Sequence, residues 1–98
     1  MDPVLVYTQA HQSGIIDFIR ELVECESPSD DSAAVNRFVD LFAAKVADIA
    51  TVKTLSGGKS FGRHMRVQFK LPGRAGNNEQ GQILGLGHSD TVYPLGTL

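Results

Sequence analysis

The chain has 98 residues, 42% apolar and 20% charged, with a formal net charge of −2. That length suits one folding unit or part of one, because single domains commonly run to about 100–150 residues, and the balance is that of a globular chain rather than a disordered one. No apolar run exceeds four residues and no basic residue precedes Arg20, so neither a membrane span of roughly 20 apolar residues nor a secretory signal is expected. The single cysteine, Cys25, excludes an internal disulfide and a cysteine-rich zinc knuckle, so the expected location is cytoplasmic.

A short amphipathic start at residues 3–10 precedes Ile15, Ile16, Ile19, Leu22 and Val23. That spacing is one face of a helix, which should end near Glu26. Ser27-Pro28-Ser29-Asp30-Asp31 breaks it, since proline removes a backbone donor and the short polar side chains compete for backbone partners. The same residues offer an N-cap to a second helix, in which Val35, Phe38, Val39, Phe42, Val46 and Ile49 repeat the helical spacing.

Near residue 52 the chain changes character. Residues 1–52 carry nine Asp and Glu against three Lys and Arg, whereas residues 53–98 carry two against six. Residues 51–55 are a weak strand candidate. Met65, Val67, Phe69 and Leu71 alternate with Arg66, Gln68 and Lys70, the pattern of a strand with one buried and one solvated face. Most of the basic residues therefore belong to a solvated face, and with the negative overall charge no nucleic-acid partner is expected. A turn-rich stretch at 72–78 leads to residues 82–87, Gln-Ile-Leu-Gly-Leu-Gly, an apolar run without alternation that suits a central strand covered on both faces. The expected class is α/β: N-terminal helices followed by strands of a mixed sheet. A central strand needs covering layers, so residues 1–98 are expected to be the N-terminal portion of a larger catalytic domain, or a chain that a partner completes.

The chemistry concentrates at His88-Ser89-Asp90, where the central strand should end. Ligands gather outside the carboxyl ends of strands in open α/β sheets. An imidazole there can ligate zinc through one nitrogen, and a carboxylate two residues on can accept the other ring N–H. The bland reading of the same residues is a satisfied histidine at a strand end with Asp90 capping the turn. Other candidates carry less. Gly58-Lys59-Ser60 ends like a phosphate-binding loop, but Lys53 stands where that pattern needs glycine. Cys25 reads as a small packing residue, and His11 and His64 as surface residues.

The stretch Gly87-His88-Ser89-Asp90-Thr91-Val92-Tyr93-Pro94-Leu95-Gly96-Thr97-Leu98 resembles the first metal-ligand motif of the dinuclear zinc exopeptidases and deacylases. That group includes glutamate carboxypeptidase, acetylornithine deacetylase and succinyl-diaminopimelate desuccinylase, and the glutamate carboxypeptidase branch is the nearest in wording. Residues 16–23 followed by Glu26-Ser27-Pro28-Ser29 resemble its opening helix and Ser-Pro loop. The resemblance implies that His88 is a ligand of one of two zinc ions and that Asp90 is the catalytic-site carboxylate orienting it. It implies a zinc-dependent metallopeptidase or amidohydrolase acting on the amide of an N-acyl amino acid or dipeptide-like substrate, with a homodimer as candidate assembly of the full-length enzyme. The bridging aspartate, the general-base glutamate and the second histidine of that group have no counterpart motif here, so this chain alone is expected to be inactive. The alternative is a non-catalytic interaction module using the basic hairpin.

Overall fold

The structure is a computed structural model that describes residues 1–70 and 82–98. Helices α1 (Pro3–Ala10), α2 (Gln12–Glu24) and α3 (Ser32–Val46) are followed by strands β1 (Ala50–Leu55) and β2 (His64–Phe69). The starts of α1 and α3 have a local cause. Asp2 accepts the N–H of Val4 at 2.7 Å with Pro3 at the first helical position, and Asp31 accepts the N–H of Ala34 at 3.0 Å. Both satisfy backbone donors that a helix leaves unpaired. The break between α2 and α3 falls at the Ser-Pro stretch, as expected, with α2 ending two residues before Glu26.

α3 is the core element. Ala34, Val35, Val39 and Val46 are buried, together with Ala50 at the start of β1. Phe18 of α2 stacks on Phe42 with ring centroids 6.2 Å apart, and Glu21 pairs with Lys45 at 2.6 Å, which docks α2 on α3. The expected face of α2 is only partly used. Leu22 is half-buried, whereas Ile15, Ile16, Ile19 and Val23 stay exposed. At the end of α3, Ile49 lies beyond the helix and is 51% exposed; its carbonyl accepts the N–H of Lys70, closing the base of the hairpin.

β1 and β2 form a two-stranded antiparallel sheet in which Val52 faces Val67 and Ala50 faces Phe69. Met65 and Val67 are more buried than Arg66 and Gln68, so the alternation holds over that stretch, but Phe69 at the end of β2 is 50% exposed because no further layer covers it among the described residues. The expected mixed sheet is not formed among the described residues. Residues 82–90 carry no strand, and Ile83, Leu84 and Leu86 are 99%, 78% and 89% exposed. Apolar composition creates a demand for burial, but a strand also needs a hydrogen-bonding neighbour. Here the parallel component is one bridge, Pro28 to Thr91. The expected turn at 72–78 and Leu71 lie outside the described residues.

The loop from β1 to β2 is pulled against α3. A Cβ on Gly62 would lie 2.4 Å from Cγ1 of Val35, so only glycine allows this approach. Beside it, the backbone N–H of Arg63 donates to Oδ1 of Asn36 at 2.9 Å and its guanidinium to Oδ1 of Asp40 at 2.8 Å. Arg63 is thus a tie between loop and helix rather than part of the solvated basic face.

Candidate metal-ligand site

Residues 26–29, just after α2, hold the segment 89–98. The hydroxyl of Ser27, a buried residue, donates to the Ser89 carbonyl at 2.6 Å, while the Ser27 carbonyl accepts the N–H of Thr91 at 2.9 Å. The N–H of Ser29 donates to the Thr91 carbonyl at 2.8 Å. These bonds reproduce a strand pairing over one bridge, and they fix where His88 and Asp90 stand.

The Ser29 hydroxyl lies 2.6 Å from Oδ2 of Asp90 and 3.0 Å from the Thr91 carbonyl. It has one proton, and the shorter contact to the charged oxygen is the stronger acceptor. The other carboxylate oxygen, Oδ1, lies 3.3 Å from Nδ1 of His88, and the Asp90 carbonyl lies 3.0 Å from the same nitrogen. The Ser29 hydroxyl bond, helped by Asp90's own backbone N–H and by His88, holds the Asp90 carboxyl below its ordinary range against the opposing effect of burial.

Both partners of His88 Nδ1 are acceptors. The neutral imidazole therefore carries its proton on Nδ1 and leaves the Nε2 lone pair free. The side chain is 83% exposed, so Nε2 is open to a ligand. This is a donor arrangement of a zinc-bound histidine, with the other ring nitrogen held by a backbone carbonyl and, at a longer distance, by a carboxylate. The sequence placed His88 and Asp90 together, and they are together; what joins them is a loop pinned by two serines, not a strand end.

A zinc site needs more. Catalytic zinc takes three protein ligands and an open position, and no group of three or more His, Cys, Asp or Glu able to hold a metal occurs among the described residues. His64 lies with His88 and Asp90 on the wall of an open cavity of about 740 Å³, but on the outer row of β2 opposite Leu55. His11, between α1 and α2, stacks on Tyr7 at 4.0 Å. His88 thus fits a single zinc position, and Asp90 and Ser29 fit the support behind it.

Three residues of this arrangement escaped sequence reasoning in their roles. Composition and periodicity make Ser27 and Ser29 helix breakers and Glu26 the end of a helix, and assign none of them a distant partner. Their partners lie 61–72 residues away, beyond anything that periodicity reports. The one available signal was the Ser-Pro-Ser composition itself, rich in groups that bond backbone. Comparison with known protein families, with characterised proteins and with solved structures finds no match to this chain.

Proposed function

We propose that this chain carries the first metal-ligand segment of a zinc-dependent metallopeptidase or amidohydrolase of the glutamate carboxypeptidase type, acting on an N-acyl amino acid or dipeptide-like amide. His88 is its zinc ligand through Nε2, Asp90 orients the imidazole, and Ser29 orients Asp90. The observation that supports the reading is this chain of contacts, Ser29 to Asp90 at 2.6 Å and Asp90 to His88 at 3.3 Å, ending on an exposed imidazole.

Bound zinc would polarise the amide carbonyl and lower the pKa of a coordinated water. The residues of this chain hold the ligand: Asp90 keeps the Nδ1 proton in place and raises the basicity of Nε2, and Ser29 keeps the carboxylate from rotating away. The remaining ligands and the general base belong to groups beyond the described residues, in the larger catalytic domain of which residues 1–98 would be the N-terminal portion.

Nitrogen-detected NMR of the imidazoles tests the ligand assignment directly. At neutral pH His88 should be protonated on Nδ1, and added zinc should shift its Nε2 before either nitrogen of His11 or His64. In His88→Ala the first zinc-dependent shift should vanish. A His88 protonated on Nε2, or zinc shifts centred on His11 or His64, would remove the support for the reading.

A second reading, an interaction module built on the basic hairpin, is favoured by one observation. Lys53 and Arg66 stand directly opposite each other across β1 and β2, an arrangement that repels unless an anion intervenes. Salt-sensitive binding of an acidic peptide, abolished in Lys53→Ala, would support that reading.

A further inference from the structure

The turn at 94–98 gathers three backbone donors on one carboxylate. The N–H of Gly96 donates to Oε1 of Glu26 at 2.9 Å, and the N–H groups of Thr97 and Leu98 donate to Oε2 at 3.0 and 3.3 Å. Gly96 makes this possible: its φ of +86° lies in the left-handed region, where side chains other than glycine's are strained. The Thr97 hydroxyl closes the turn by donating to the Pro94 carbonyl at 2.6 Å. Successive N–H groups that converge in this way form an anion-binding concavity. In keeping with that, the N–H of Gly96, followed by those of Leu98 and Thr97, holds the Glu26 carboxyl below its ordinary range despite an opposing contribution from burial.

Glu26, Thr97 and Leu98 line a cavity of about 550 Å³ together with Ile19, Leu22, Val23, Phe38 and His88. Small-molecule clefts typically measure about 300–1,000 Å³, with apolar walls and a few placed polar groups. Apolar lining side chains beside Thr97 and Leu98, whose N–H groups already hold a carboxylate, suit a molecule with an apolar body and an anionic end.

We propose that residues 96–98 are a carboxylate-binding cradle, filled by the chain's own Glu26, and that its external ligand is a carboxylic acid with a short apolar chain. The ligand's carboxylate replaces that of Glu26 on the three N–H groups, and its chain lies against Ile19, Leu22 and Val23. Glu26 is an internal competitor, tethered beside the cradle, so an external acid reaches the site only by displacing it. The inference uses no metal and none of the contacts of His88 Nδ1, so it can fail while the zinc reading stands, and the reverse.

The test is a titration of the chain with hexanoate, followed by backbone amide shifts, in the native protein, in Glu26→Gln and in Glu26→Ala. A neutral amide competes less well than a carboxylate for the N–H groups, so hexanoate should bind Glu26→Gln about tenfold more tightly than the native chain. Glu26→Ala should bind at least as tightly as Glu26→Gln. The largest shifts should fall on Gly96, Thr97 and Leu98, and hexanamide, with the same chain and no charge, should leave them unmoved. Equal hexanoate affinity in native and Glu26→Gln chains, equal binding of hexanoate and hexanamide, or shifts centred elsewhere would overturn the proposal. If a variant loses the order of residues 88–98, hexanoate should restore it, because the cradle is then refilled; failure to do so in both variants would overturn the proposal as well.

Discussion

Ser29 decides the state of Asp90, and through it the presentation of His88. Replacing it by alanine removes the 2.6 Å bond that is the largest cause of the lowered Asp90 pKa. In Ser29→Ala the Asp90 carboxyl should therefore titrate at higher pH than in the native chain, as followed by its side-chain carbon resonance; an unchanged titration would show that the hydroxyl bonds the Thr91 carbonyl instead. Glu26 gives a prediction of the same kind with a defined sign. Its carboxyl is lowered from an ordinary 4.5 by the three N–H groups, so its contribution to holding the 94–98 turn is present above that value. It is lost as the pH falls through the lowered value. Amide shifts of Gly96, Thr97 and Leu98 should move together on acidification, with a common midpoint below 4.5. A midpoint at or above 4.5 would contradict the clasp.

At the scale of elements, the approach of the β1–β2 loop to α3 depends on the missing side chain at Gly62. An alanine there would put its Cβ 2.4 Å from Val35, which is buried. Overpacking of this kind costs about 1–3 kcal/mol. Gly62→Ala should lower the midpoint of hairpin unfolding in denaturant, and a native midpoint would mean that the loop adjusts freely. The hairpin's outer face gives the opposite sign. Lys53 and Arg66 repel across the strands, so Lys53→Glu should stabilise the hairpin by about 0.2–1 kcal/mol, less at high salt. Arg63 does not belong with them, because its guanidinium is committed to Asp40 and the Asn36 carbonyl. Neutralising Arg66 and Lys70 should alter solubility, whereas Arg63→Ala should loosen the loop from α3.

For the whole molecule, the imbalance is between apolar surface offered and apolar surface buried. Among the described residues only Ala34, Val35, Val39, Val46 and Ala50 are buried apolar residues, and the radius of gyration is 16.0 Å, against about 13 Å for a compact domain of similar length. Each large apolar side chain left in water forgoes about 1.5–3 kcal/mol, and a domain's net stability is only about 5–15 kcal/mol. Ile83, Leu84, Leu86 and the Ile15, Ile16, Ile19 and Val23 stripe of α2 should therefore drive self-association. Sizing chromatography should show apparent mass rising with concentration, whereas a monomer with a cooperative transition of ordinary stability would show the fold to be self-sufficient. Zinc added to the 98-residue chain should produce no amide hydrolysis, since no three-ligand group exists among the described residues. Turnover that scales with zinc and survives purification would refute this.

What the sequence determined by itself is what short-range periodicity encodes. The spacing of Val35, Val39 and Val46 set α3 and its buried face, the alternation of Met65 to Phe69 set β2, and Ser-Pro-Ser set the break between α2 and α3. The juxtaposition of His88 and Asp90 was also legible, because two residues of separation keep their side chains within reach of each other. Tertiary structure alone decided the rest. Periodicity states that residues 82–87 are apolar, but it names no neighbour, and without one they carry no strand. The bonds from Glu26, Ser27 and Ser29 to residues 89–98 close loops of more than sixty residues. Such contacts form only when two distant segments meet, and no local pattern in either segment records which partner it will find.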